Sequence, residues 1–321
     1  MKKVVAPLLF TLCLLTGLPS HQQEATKKRI RTIVIDPGHG GVDPGAKGTF
    51  STEADVSLAV SLKLGKAIEK EFPDIKLVFT RTTDVLPGNK TTIDAALRYR
   101  ADLANQSGGD LFIAVHCNSA GKKAGGWYAR RVSHYVTKKK KVKVKKKWVT
   151  RNVKVPVYQS YWVENLVKGT ETYIWAVNKN EAKVNSVVHN NEYYGEIDST
   201  STLELPDPSD PAEKARMLIY TLNYFRKSLN LASLIEKQFA DSGRISRGVK
   251  QRNDKGIWVL QATGMPSILV EIGFISNKEE EQYLNSEAGQ DVIVKNIVDA
   301  LRTYIYQVEG RNQANGETQT D

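Results

Sequence analysis

Apolar positions along the first third of the chain follow two alternating periods. Thr32-Ile33-Val34-Ile35-Asp36 is a short β-branched run stopped by Pro37-Gly38, which predicts a buried strand. From Glu53 to Glu71 the apolar residues Val56, Leu58, Ala59, Leu62, Leu64, Ala67 and Ile68 recur at helical spacing, and Pro73 ends that run. Lys76–Thr80 reads as a second strand, Ile93–Ala104 as a second amphipathic helix stopped by Gly108-Gly109, and Leu111–His116 as a third strand. Strand, helix, strand, helix, strand at this spacing predicts an α/β fold.

The rhythm then breaks. Residues 121–168 form a long basic stretch without a clear period, although its tryptophans and tyrosines suggest that part of it folds, for instance as a hairpin. Thr170–Val177 resumes as a strand. Residues 185–211 are polar and proline-rich and read as loop. Pro211–Phe239 predicts a long helix with Asp210 as its N-cap. Ile257–Leu260 and Ser267–Ile272 read as strands, Lys278–Leu284 and Gln290–Tyr306 as closing helices, and 309–321 as a frayed, disordered tail. The organisation expected is one domain over 28–308 carrying two insertions, 122–168 and 184–228.

The N-terminus changes the expected compartment. Lys2-Lys3 precede an apolar run, Val4–Leu18, that is shorter than the roughly 20 residues of a spanning helix, and polar chain follows. Residues 1–20 therefore read as a secretory signal peptide, and the mature chain as exported, without a transmembrane segment and monomeric. Only Cys13 and Cys117 are present, so no disulfide framework holds the fold. The formal charge is +11, which suggests an acidic partner. That charge is local: residues 122–168 hold fifteen Lys and Arg against the single acid Glu164. The remainder of the chain has 31 basic and 34 acidic residues, so a basic fold surface for nucleic acid is not expected.

Three segments place a polar, ligand-type residue at or near the carboxyl end of a strand, where α/β sheets bind ligands. Asp36-Pro37-Gly38-His39-Gly40-Gly41 puts His39 in a glycine-rich loop, His116 ends the third strand, and Glu271 interrupts the apolar run Ile268–Phe274. A buried carboxylate must be paired, hydrogen-bonded or metal-bound. Glu53 opens the first long helix. Two histidines and a carboxylate form a standard catalytic zinc set with a fourth position left for water, and a second carboxylate can handle the proton.

The four segments in their order, IVIDPGHGGVDPGAKG, EADVSLAVSLKL, HCNSA and MPSILVEIGFISNKEEEQYL, resemble the zinc-dependent N-acetylmuramoyl-L-alanine amidases of type 3. The likeness spans about residues 30–121, 169–180 and 228–305. It implies a twisted mixed sheet flanked by helices, Zn2+ held by His39, Glu53 and His116, and Glu271 as the catalytic carboxylate. The implied reaction is hydrolysis of the amide between the lactyl group of N-acetylmuramic acid and L-alanine of the peptidoglycan stem, in wall remodelling or daughter-cell separation. Asn118 is a candidate substrate contact or a loop cap. Asp36, Arg81 and Arg100 read as scaffold around the ligand loop, Asp43 as loop structure or support for a ligand, and Cys117 as apolar filler facing away from His116. His134 and His189 match no motif and are not expected to be ligands.

The resemblance also implies a control device. Some relatives carry an inserted segment that covers the zinc until an activator protein displaces it. Residues 184–228 could act so, with Glu192, Glu196 and Glu204 as candidate occluders, and this favours a periplasmic location. The alternatives are a stem-peptide peptidase and a non-catalytic protein that binds polyanions or the wall.

Overall fold

The computed structural model describes residues 29–176, 211–252 and 257–310. The signal segment, the tail beyond 310 and most of the second insertion, including His189, Glu192, Glu196 and Glu204, lie outside these residues.

Strand β1 (Thr32–Pro37) is followed by α1 (Glu53–Glu71), β2 (Lys76–Phe79), α2 (Ile93–Gln106) and β3 (Leu111–Asn118). The basic insertion is a long hairpin, β4 (Gly126–Val144) and β5 (Lys147–Glu164). The second half holds β6 (Thr170–Ile174), α3 (Pro211–Asp241), β7 (Ser246–Gln251), α4 (Trp258–Ala262), β8 (Ser267–Phe274), α5 (Lys278–Asn285) and α6 (Glu287–Glu309).

Six strands form one mixed sheet in the order β2-β1-β3-β8-β6-β7. All neighbours run parallel except β6 against β8. Alternation along the central strands sends residues to two apolar layers. Ile33, Ile35, Ile113, Val115, Ile268 and Val270 join α1, α3 and α6 on one face. Val34, Phe112, Ala114 and Leu269 meet Ala104 of α2 and Val259 and Leu260 of α4 on the other. His116 and Glu271 follow that alternation onto the second face. Cys117 falls on the first, buried in its core as expected.

The structure departs from these expectations in three places. Ile257–Leu260 is not a strand: Trp258–Ala262 is a short helix whose Val259 and Leu260 pack on the second face. A four-residue apolar run does not specify its own period, and packing decides it. Strand β7 was not anticipated, because SRGVKQ is a half-exposed edge with little apolar alternation. The predicted strand Thr170–Val177 also stops early, at Ile174.

Candidate metal centre

The loop after β1 is held from below by two buried arginines. Arg100 pairs with Asp36 and donates to the carbonyls of Pro37 (2.8 Å) and His39 (2.7 Å). Arg81 donates to the carbonyls of Gly38 (2.6 Å) and Ala54 (2.8 Å), tying the loop to the start of α1. This is the scaffold role read from the sequence. So constrained, His39 adopts a left-handed backbone (φ 58°), which non-glycine residues avoid.

Glu53 is the first residue of α1. Thr52 caps that helix with its hydroxyl, reciprocated by Asp55. The Glu53 carboxylate is buried and reaches both histidines through Oε1, at 3.1 Å from His39 Nε2 and 2.8 Å from His116 Nδ1. Its Oε2 accepts from the backbone of Ala46 (2.8 Å), which fixes the carboxylate plane. Asp43 faces the other ring nitrogen, His39 Nδ1, at 2.8 Å, while its second oxygen accepts from Gly45 N (3.2 Å). It therefore does both things weighed for it: it shapes the loop and orients a histidine. The two imidazoles stand edge to face, centroids 5.0 Å apart.

One donor atom from each of His39, Glu53 and His116 lies within 4.8 Å of the others, the single such His/Cys/Asp/Glu grouping among the described residues. The surroundings fit a bound cation. A Cβ at Gly38 would stand 2.5 Å from the His116 ring, and one at Gly45 2.6 Å from Glu53 Oε2 and His39 Cδ2. The backbone thus leaves room for the donors and for no side chain in their place. The electrostatics agree. Burial would lower the His39 pKa, but the Glu53 and Asp43 carboxylates outweigh it and push it up to about 9. Burial would raise Glu53, yet hydrogen bonds from His116 and His39 hold it far below the usual carboxylate range. The cluster demands positive charge.

Glu271 is not among the converging donors. It lies on β8 in register with His116 on one side and with Glu171 of β6 on the other, in one row across three strands. Its Oε2 is buried with no hydrogen-bond partner among the described residues. Burial first, then the charges of Glu53 and Glu171, push its pKa up to about 8. Asn118 does not stand free: its Nδ2 donates to Glu171 Oε2 at 2.9 Å. Glu171 also receives Tyr173 (2.8 Å), Arg247 (2.6 Å) and Lys250 (3.0 Å). His134 lies exposed on β4 beside Ser133, outside the cluster.

His39 and His116 open into a cleft of about 230 Å3 walled by Leu86, Ile93, Leu97, Trp258 and Val259. Trp258 and Val259 come from the helix that sequence reading took for a strand.

The family model described as N-acetylmuramoyl-L-alanine amidase matches residues 33–303, which contain the loop, the helix start and all four chemical positions. The chain belongs to this amidase family. Among curated relatives it is similar to a probable N-acetylmuramoyl-L-alanine amidase AmiB from Haemophilus influenzae, 29% identical over 84% of this chain and 51% of the relative. It is likewise similar to the AmiC amidase of Escherichia coli, 26% identical over 88% of this chain and 54% of the relative. The chain thus spans about half the length of these two amidases. Its fold matches the amidase structure from Clostridium difficile 630 with a TM-score of 0.51 at 22% identity, over 87% of this chain and 98% of the other.

The main support that sequence reading missed in this amidase domain is Glu281. It is buried, and it accepts from the loop just before Glu53, through the backbone of Thr49 (2.7 Å), Phe50 (2.8 Å) and Ser51 (2.9 Å) and both hydroxyls. In the run Lys278-Glu279-Glu280-Glu281 helical phase alone separates it from the exposed Lys278 and Glu279 and from Glu280, which turns instead to Arg244 and the backbone N–H groups of Gly169 and Phe274.

Proposed function

We propose that this chain is a zinc-dependent amidase that hydrolyses the bond between the lactyl group of N-acetylmuramic acid and L-alanine of the peptidoglycan stem peptide. The observation that carries the reading is the convergence of His39, Glu53 and His116 beside a buried, partnerless Glu271 oxygen. Family membership points to the bond.

His39, Glu53 and His116 would hold the zinc. When bound, the ion supplies Lewis-acid polarisation of the scissile carbonyl and a lowered pKa for water. Glu271 accepts a proton from the attacking water. As the carbon–nitrogen bond breaks, it returns that proton to the alanine nitrogen, leaving a lactyl carboxylate and a free amine. The apolar walls at Leu86, Trp258 and Val259 orient the substrate and thin the water around the reacting carbonyl. Asp43 holds the His39 ring, and the Arg81–Arg100 clamp holds its backbone.

Residues 1–20 support export, and we place the enzyme in the periplasm, acting in wall remodelling or daughter-cell separation. The test is mass spectrometry of purified peptidoglycan digested by the zinc-loaded protein. Fragments carrying intact muramic acid with a free lactyl carboxyl, paired with peptides whose N-terminal residue is L-alanine, are expected. Products cut only within the stem would refute the amidase assignment in favour of a peptidase.

A further inference from the structure

The β4–β5 hairpin has no part in the chemistry above, yet it is the largest projecting feature of the described chain. Its strands of 19 and 18 residues extend about 60 Å at roughly 3.3 Å per residue. They form a sheet of their own and, among the described residues, pack extensively on no other element. An isolated two-stranded ribbon is marginal in water, so its faces need a partner.

The pairing register shows what kind. In its distal half, one face carries the pairs Val136–Val155, Lys138–Val153, Lys140–Arg151, Val142–Val149 and Val144–Lys147. The other carries Thr137–Lys154, Lys139–Asn152, Lys141–Thr150 and Lys143–Trp148. All six valines of residues 136–155 therefore lie on one face, and no acid occurs in that stretch against ten Lys and Arg. The hairpin turns through Lys145 (φ 43°) and Lys146 (φ 68°), both left-handed, where Asn-Gly is the unstrained choice. The apex thus carries two lysines in a backbone conformation that side chains disfavour. Trp148, beside the apex, is 67% exposed.

A soluble polyanion would engage the cations and leave the valine stripe in water. An anionic bilayer satisfies both. The valines enter the boundary between headgroups and acyl chains, and Lys138, Lys140, Lys147 and Arg151 on the same face extend to the phosphates. We propose that the distal half of the β4–β5 hairpin docks, valine face down, on anionic phospholipid membrane. The docking point then stands up to about 60 Å from the base of the hairpin, next to the cleft-bearing sheet.

The test is cosedimentation of the full chain with vesicles of phosphatidylglycerol and phosphatidylcholine, or of phosphatidylcholine alone. Binding is expected only to the anionic vesicles. The K138Q/K140Q/K147Q/R151Q variant should lose on the order of 100-fold or more in partitioning. The V142T/V149T/V153T variant should lose about 10-fold while binding soluble polyphosphate as the parent does. These positions are exposed or half-exposed, and circular dichroism checks that both variants fold. No binding to anionic vesicles, or valine variants that bind them undiminished, would overturn the proposal. The latter result, together with full competition by polyphosphate, would assign the ribbon to a soluble polyanion instead.

Discussion

Replacing Glu281 by Gln should damage the metal centre from a distance. The side chain is fully buried on α5, and its two oxygens share the donors of Thr49, Phe50 and Ser51: Oε2 serves Thr49, and Oε1 serves Phe50 and Ser51. Gln offers one acceptor oxygen and one NH2. Whichever way it turns, an amide nitrogen faces at least one of these part-buried backbone N–H groups in place of the oxygen that now accepts from it. A hydrogen bond to a charged group contributes about 1.5–3 kcal/mol, and a stranded buried donor costs a similar amount. The expected loss is about 2–4 kcal/mol, or a fall in melting temperature of roughly 5–15 °C for a domain of this size. The loop so loosened runs directly into the Thr52 cap and Glu53, so zinc affinity should fall about 10-fold or more.

Differential scanning calorimetry with chelator present isolates the fold, and zinc titration reads the site. The pH dependence supplies a sign. Burial alone would raise the Glu281 pKa, but the hydrogen bonds from Thr49, Phe50 and Ser51 outweigh it and hold the carboxyl below its usual range. Its contribution is therefore complete above the unfolded value, about 4.3, and lost as pH falls through the lower folded value. The gap between parent and variant should be full at pH 7 and shrink below about pH 4. A variant that melts within 1 °C of the parent at pH 7 and binds zinc equally well would refute the reasoning, since that is the behaviour of a solvated surface glutamate.

Glu271→Gln should retain zinc and melt normally while turnover falls about 10²–10⁴-fold; near-parental wall digestion would remove it from the chemistry. Asp43→Asn weakens the hold on His39 Nδ1 and should lower zinc affinity about 10–100-fold, which an unchanged zinc titration would contradict. Gly45→Ala combines a left-handed backbone with a Cβ 2.6 Å from Glu53 Oε2, so zinc content by emission spectrometry should drop; full occupancy would show that the cradle yields.

What could be read from the sequence follows from where each residue's partners lie. The central strands and α1 announce themselves because alternation against a core is a local pattern. His39 stood out through its glycines, and Glu271 because a carboxylate inside Ile268–Phe274 has no bland place to go. The edge strand β7 and the short helix α4 carried no such mark, since one is half exposed and the other is too short to show a period. The hairpin was expected only in part, because an exposed ribbon has no core to impose alternation along its whole length. Glu281 is the instructive case. Its partners are more than 200 positions away, it sits in an acidic run typical of solvated helix starts, and its inward turn is decided by the packing of α5 beneath the Thr49–Ser51 loop. Residues that touch the chemistry conflict with their local surroundings and can be found from them. Residues that hold the chemistry in place look ordinary until the fold brings their partners across, so Glu281 is the stricter test of the site as built.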